Sequence, residues 1–211
     1  MISRIGGVLW DWNGTLLNDT QLAVRTINEM LGKRNLPLLS VADYQDVFKF
    51  PVRDYYQKIG FDFESEPFEI PATEFIVRYN EQVNDCSLHA DSLRVLKYFQ
   101  AIGVRQFVLS AMEQDMLEEC LSYQKIDHFF EHVSGLDNHY ATSKLENAHR
   151  LIAGQNLNAS ELILIGDTVH DFEVATELGC LCILIANGHQ SKKVLQSTGA
   201  LVYDRLSQLL I

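Results

Sequence analysis

Polar residues able to act on a ligand recur in this 211-residue chain at the ends of apolar runs. Asp11 closes the run that starts at Ile5 and is followed by Asn13, Gly14 and Thr15. Ser110 closes Val104 to Leu109, and Asp167 comes after Glu161 to Gly166, with Asp171 four places on. Lys144 stands at the start of an amphipathic stretch. Short apolar runs bounded by turn residues are buried strands, and a parallel sheet brings the C-terminal ends of its strands to one edge. These positions then meet. Clustered carboxylates with few thiols or imidazoles nearby select a hard cation, Mg2+. A lysine and a hydroxyl in the same cleft suit a phosphoryl group, and a carboxylate nucleophile completes the parts for transfer through an aspartyl-phosphate.

The elements that must position these residues can be read from periodicity. Leu22, Ala23, Ile27, Met30 and Leu31, with Thr26 on the same face, define a helix over Thr20 to Lys33, capped by Asp19 or Thr20. Ser40 with Asp43 marks a second helix start, Pro51 opens a short third helix ending near Gly60, and Pro71 opens a fourth with the face Phe75, Ile76, Tyr79 and Val83. Residues 16 to 86 therefore hold helices alone. From His89 the rhythm alternates. A helix carrying Leu93, Leu96, Phe99 and Ile102 stops at Gly103, and the strand to Leu109 ends at Ser110. Helix Glu113 to Tyr123, strand Phe129 to Ser134, helix Ser143 to Ala153 and strand Glu161 to Ile165 come next. Helix Asp171 to Leu178, strand Cys180 to Ala186, a turn at Asn187-Gly188, a last helix and the run Ala200 to Tyr203 close the chain. Alternating strands and helices with short connections predict an α/β fold with a doubly wound parallel sheet. Its core comprises residues 1–15 and 87–211, and an all-helical domain, 16–86, is inserted after the first strand.

Composition narrows the function. Seventeen basic against 28 acidic residues leave a net charge of −11, which disfavours nucleic acid and anionic membrane as partners and leaves a carboxylate cluster in want of a cation. No apolar run approaches a membrane span. Arg4 followed by no extended apolar region predicts no secretory leader. The four cysteines, Cys86, Cys120, Cys180 and Cys182, lie in apolar patterns and read as buried thiols of a cytoplasmic protein. Trp10 and Trp12 alternate with Asp11 and read as packing residues. The seven histidines show no ligand spacing and read mostly as surface or loop residues.

Taken together, Asp11-Trp-Asn-Gly-Thr15, Leu109-Ser110, Lys144 and Gly166-Asp167-Thr-Val-His-Asp171 resemble the four motifs of the haloacid dehalogenase-like (HAD) hydrolase superfamily, in order and across essentially the whole chain. The helical insertion is similar to the cap of its phosphoglycolate phosphatase and β-phosphoglucomutase branch. The resemblance implies an Mg2+-dependent phosphatase acting on a small phosphorylated metabolite, as a monomer or homodimer. It implies Asp11 as nucleophile, and the main-chain carbonyl of Asn13 with Asp11, Asp167 and Asp171 around the metal. Ser110, Ala111, Thr15 and Lys144 would surround the phosphate, and Lys49 and Arg53 of the cap would face the substrate.

One position departs from the family. Its phosphatases carry an aspartate, acting as acid and then base, where this chain has Asn13. An amide cannot fill that role, and losing such a group costs about 10²–10⁴-fold. Three consequences are open: a substrate with a good leaving group, another acid such as His170 or a cap tyrosine, or a protein that binds phosphorylated ligands and turns them over slowly. Dehalogenation, which also lacks this acid, competes but proceeds without a metal.

Overall fold

The computed structural model describes residues 5–136 and 144–210. Six parallel strands form one sheet in the order β3-β2-β1-β4-β5-β6. They are β1 (Gly7–Trp10), β2 (Arg105–Glu113), β3 (His132–Leu136), β4 (Leu162–Gly166), β5 (Leu181–Ile185) and β6 (Leu201–Tyr203). β1 and β4 are buried along their whole length, which is why both read as unbroken apolar runs. The order reverses direction at β1, and the crevice between β1 and β4 is where such sheets take ligands.

Side-chain alternation divides the core in two. Val8, Trp10 and Val108 pack on one face with Val95 and Leu96 of α5 (Ser92–Ala101) and Leu117 and Leu121 of α6 (Gln114–Tyr123). Leu9, Phe107 and Leu164 pack on the other with Ala148 and Leu151 of α7 (Lys144–Gly154) and Val174 and Ala175 of α8 (Val169–Leu178). A short helix, α9 (Lys192–Gln196), precedes β6. Trp10 and Trp12 are fully buried, and the Trp10 indole donates to Gln106.

Between β1 and α5 the chain builds α1 (Thr20–Lys33), α2 (Val41–Val47), α3 (Val52–Lys58) and α4 (Glu69–Asn80), with a 3₁₀ turn at Val83–Asp85. These helices have their own core, in which Ile27, Met30 and Leu31 meet Tyr44, Tyr55, Tyr56 and Phe61. Ser40 and Asp43 form the expected reciprocal cap.

Several elements differ from the sequence reading; β3 spans His132–Leu136 rather than Phe129 to Ser134, and α8 begins at Val169 rather than Asp171. α4 begins at Glu69 rather than Pro71, because a proline in the first turn gives up only an N–H that has no helical partner. β2 runs past Ser110 to Glu113, with its register against β3 shifting between Leu109 and Glu113. Leu93 on α5 and Ile102 just past its end are 41% and 45% exposed, and the buried face is Val95, Leu96 and Phe99. The expected helix start at Ser143 lies outside the described residues.

Candidate active site

Asp11 continues β1 beyond its last residue, its N–H donating to Ile165 of β4 over 2.8 Å. The chain then turns at Gly14, whose φ of +76° is left-handed; a Cβ there would also run into the Asp167 and His189 side chains. Gly188, after β5, leaves room for the same Asp167 carboxylate. The backbone is thus held close to a charged group that any larger residue would displace.

Lys144, the first residue of α7, reaches between two carboxylates. Its Nζ lies 2.5 Å from Asp11 Oδ1 and 2.6 Å from Asp171 Oδ1, all three side chains being buried. Thr15 Oγ1 donates to Asp11 Oδ2 at 3.2 Å and Asp167 Oδ1 at 3.0 Å, and the His189 N–H donates to Asp167 Oδ2 at 2.5 Å. Thr168 is the N-cap of α8, and Asp171, the third residue of the helix, closes the capping box, its Oδ2 accepting from the Thr168 N–H and hydroxyl. The sheet edge therefore brings together Asp11, Thr15, Lys144, Asp167 and Asp171 from three separate stretches of chain.

A second cluster adjoins the first. Asp19 opens α1 by position, yet its side chain does not cap that helix. Its Oδ1 accepts from the Gly14 N–H at 2.7 Å and lies 3.3 Å from His189 Nε2, and its Oδ2 accepts from the Tyr79 hydroxyl at 2.5 Å. Asn13 Nδ2 donates to Asp19 Oδ2 at 3.2 Å and to the Tyr79 oxygen at 2.8 Å. Tyr44 and His189 Nδ1 are hydrogen-bonded at 2.9 Å. His89 meets the Gly14 carbonyl.

Electrostatics follow from burial and charge count. Burial raises the Asp11 carboxyl to about 6, against the opposing pull of Lys144. Burial, with Asp11 and Asp171 nearby, lifts Asp167 well above the usual carboxylate range. Burial also disfavours ionised Asp171, but Lys144 outweighs it and holds the group low. Lys144 is raised because its two carboxylates overcome its own burial. Burial would lower His189, yet Asp19 raises it to about 9, and His189 in turn lowers Asp19 against the effect of burial.

Four carboxylates thus face two cations, an excess that one divalent ion offsets. Oxygen atoms of Asp11, Asp167 and Asp171 lie within 4.8 Å of one another. An all-carboxylate set of that size fits a hard cation. The chemistry of the donor set matches Mg2+.

The cluster opens into a cavity of about 380 Å³ whose walls include Tyr44, Phe48, Phe50, Phe68 and Phe75. Ala111 lines it. Ser110 does not; it is fully buried, and its Oγ accepts from the Met112 N–H at 3.0 Å. Lys49 and Arg53 also lie outside the lining: Lys49 faces Asp54 at 3.6 Å, and the Arg53 guanidinium rests over Phe63 and Phe68. His170 lines the cavity against Phe50.

Sequence reasoning missed His189, Asp19 and Tyr79. A signal for His189 existed, since it follows β5 as Asp167 follows β4, at the same edge of the sheet. Asp19 was legible only as a cap, and Tyr79 only as part of an apolar face.

The family model for haloacid dehalogenase-like hydrolases matches residues 8–185. The chain belongs to that family. A 5'-nucleotidase of Pseudomonas aeruginosa is 22% identical over 201 residues, 92% of this chain and 88% of that protein. A haloacid dehalogenase-like hydrolase from Streptococcus pneumoniae superposes with a TM-score of 0.77 at 16% identity, covering 99% of this chain and 98% of that one. A predicted phosphoglycolate phosphatase from Haemophilus somnus gives 0.76 at 17%, covering 100% and 98%. At these identities the superpositions speak to the fold. The HAD-like sheet and its inserted helices are thereby accounted for.

Proposed function

We propose that this HAD-like hydrolase is an Mg2+-dependent phosphatase that cleaves a small phosphate monoester through an aspartyl-phosphate on Asp11. The observation that carries the reading is the Asp11 carboxylate, held by Lys144 on one oxygen and by Thr15 on the other beside the Asp167 carboxylate. A nucleophile needs such fixing, because orientation in a near-attack geometry supplies much of the acceleration.

In this mechanism Asp11 attacks phosphorus and the ester P–O bond breaks with the electron pair leaving on oxygen. Water then attacks the aspartyl-phosphate, freeing phosphate and the carboxylate. Lys144 neutralises Asp11 and the incoming phosphoryl oxygens, and Asp171 positions Lys144. Bound by Asp11, Asp167 and the Asn13 main chain, Mg2+ would offset the repulsion between carboxylates and phosphate. We assign the phosphoryl oxygens to Lys144, Thr15 and the main chain at Ser110-Ala111. Residues 16–86 act as the cap that excludes bulk water over a core of 1–15 and 87–211. Four unpaired cysteines favour the cytoplasm as its place of action.

Asn13 favours a second reading, a phosphate-ligand binding or regulatory protein with slow turnover. Phosphate release from acetyl phosphate and p-nitrophenyl phosphate, with and without Mg2+, decides between them. Turnover that needs both Mg2+ and Asp11 supports the phosphatase; tight phosphate binding without turnover supports the alternative.

A further inference from the structure

The cavity has a chemistry of its own beyond the carboxylate edge. Tyr44, Phe48, Phe50, Tyr55, Phe68 and Phe75 enclose it, and Phe48, Phe50, Phe68 and Phe75 keep accessible surface. At about 380 Å³ it lies near the small end of ligand sites, the size of a compact molecule with one ring. Aromatic faces and edges favour an aromatic guest in offset or edge-on contact.

Charge restricts the guest further. Among the described residues, Lys144 is the single lysine or arginine in the lining, and Asp11 and Asp171 already engage it. His189 is paired with Asp19, and His170 lies 3.4 Å from Glu173. Glu113 adds a carboxylate to the wall. A second anionic group on the substrate, such as the carboxylate of a phosphorylated hydroxy acid, meets no uncommitted lysine or arginine there.

The leaving group is restricted by Asn13. Its Nδ2 donates to Asp19 and Tyr79, an orientation fixed because an ionised carboxylate only accepts. An amide so held transfers no proton to a departing oxygen. An alkoxide, whose conjugate acid is about as weak as water, leaves poorly without help. A phenolate, with a conjugate acid near the tyrosine value of about 10, leaves unaided.

We propose, resting on the phosphatase reading, that the substrate is a phosphate monoester of a phenol with no second anionic group. Asp11 forms the new P–O bond, the aryl P–O bond breaks, and the phenolate departs with the electron pair and takes a proton from water. Hydrolysis of the aspartyl-phosphate returns phosphate, so aryl phosphate and water give phenol and phosphate.

The test uses the full chain with Mg2+ and five probes: phenyl, benzyl, ethyl and acetyl phosphate, and adenosine 5'-monophosphate. Benzyl phosphate keeps the ring and changes the leaving group; acetyl phosphate keeps a good leaving group and lacks the ring. Phenyl phosphate is expected to exceed benzyl phosphate in kcat by at least about 100-fold, the scale of a missing general acid, at similar KM. Acetyl phosphate is expected to turn over with a higher KM. Phe75→Ala, and separately Phe50→Ala, should raise KM for phenyl phosphate about 10-fold more than for acetyl phosphate, each variant checked for a native circular dichroism spectrum. Equal or faster turnover of benzyl phosphate or the nucleotide overturns the proposal. If acetyl phosphate is hydrolysed in an Asp11-dependent manner while phenyl phosphate is no better than ethyl, the aryl assignment falls and the phosphatase stands. If none of the five gives Asp11-dependent phosphate, both fall.

Discussion

The side-chain amide of Asn13 donates to the Asp19 carboxylate over 3.2 Å, so the place of the family's acid is tied into a buried ionic network. Asp19 already accepts from Tyr79 and Gly14 and faces His189. The amide is therefore part of a matched set rather than an isolated loss.

Asn13→Asp sets two carboxylates against each other, and one must rise in pKa. A carboxyl raised in the folded state is destabilising while ionised, and the deficit shrinks as pH falls through its folded pKa. The variant should lose about 1–3 kcal/mol at pH 7, from a shift of roughly one to two units, and recover towards pH 4. Urea unfolding at both pH values measures this. Because the raised carboxyl is a proton donor, turnover of ethyl phosphate should rise by about 10-fold or more, with little gain on acetyl phosphate. A uniform gain on both would mark a degraded enzyme instead.

His189 carries its own pH signature. Its folded pKa is raised to about 9 by Asp19 in spite of burial, above an unfolded value of about 6.5. The charge then adds stability fully present below about 6.5 and lost as pH rises through about 9. Without added metal, the stability gap between wild type and His189→Gln should be widest near pH 6 and close by roughly 3 kcal/mol towards pH 10. A gap constant across that range contradicts the pairing.

Lys144 separates stability from catalysis poorly, by design of its position. Lys144→Met leaves Asp11 and Asp171 buried without their cation, and breaking a buried pair in this way costs about 3–5 kcal/mol. Lys144→Arg should not restore turnover, since a planar fork does not replace a point charge between two carboxylates. Chemical denaturation and phosphate release on the same preparations check both statements.

As a ligand of the proposed Mg2+, Asp167 would be held at a cost in stability. Its carboxyl is pushed up by burial and by Asp11 and Asp171, so neutral Asn at this position removes a penalty. Asp167→Asn should match or exceed wild type in Tm without metal, and millimolar Mg2+ should raise the Tm of the native protein but not that of the variant. Titration of Tm against Mg2+ reads both effects.

The strand-end rule made Asp11, Asp167 and Asp171 legible, because a parallel sheet converts distant run ends into neighbours. The α1 pattern gave Thr20 to Lys33 because its stripe from Ala23 to Leu31 faces the core of the inserted helices, with Leu22 packed in that of the sheet. What escaped were residues whose positions depend on packing between elements. Asp19 reads as a cap until Gly14, Tyr79 and His189 are seen to converge on it. Ser110 reads as a strand end, but β2 continues with a register shift that turns its hydroxyl back on Met112. Lys49 and Arg53 follow Phe48 in the chain, yet their charges settle on Asp54 and on aromatic rings outside the cavity. Side-chain direction in short helices is set by neighbours that no local period records.

The proposed reaction turns on a covalent step at Asp11. Quenching the enzyme in acid during turnover of acetyl phosphate with Mg2+, then mapping the phosphoryl group by peptide mass spectrometry, tests it most directly. A phosphoryl adduct on the peptide at Asp11, absent from Asp11→Asn and without Mg2+, is the predicted result. Phosphate release that continues in Asp11→Asn, or an adduct on another residue, would contradict it.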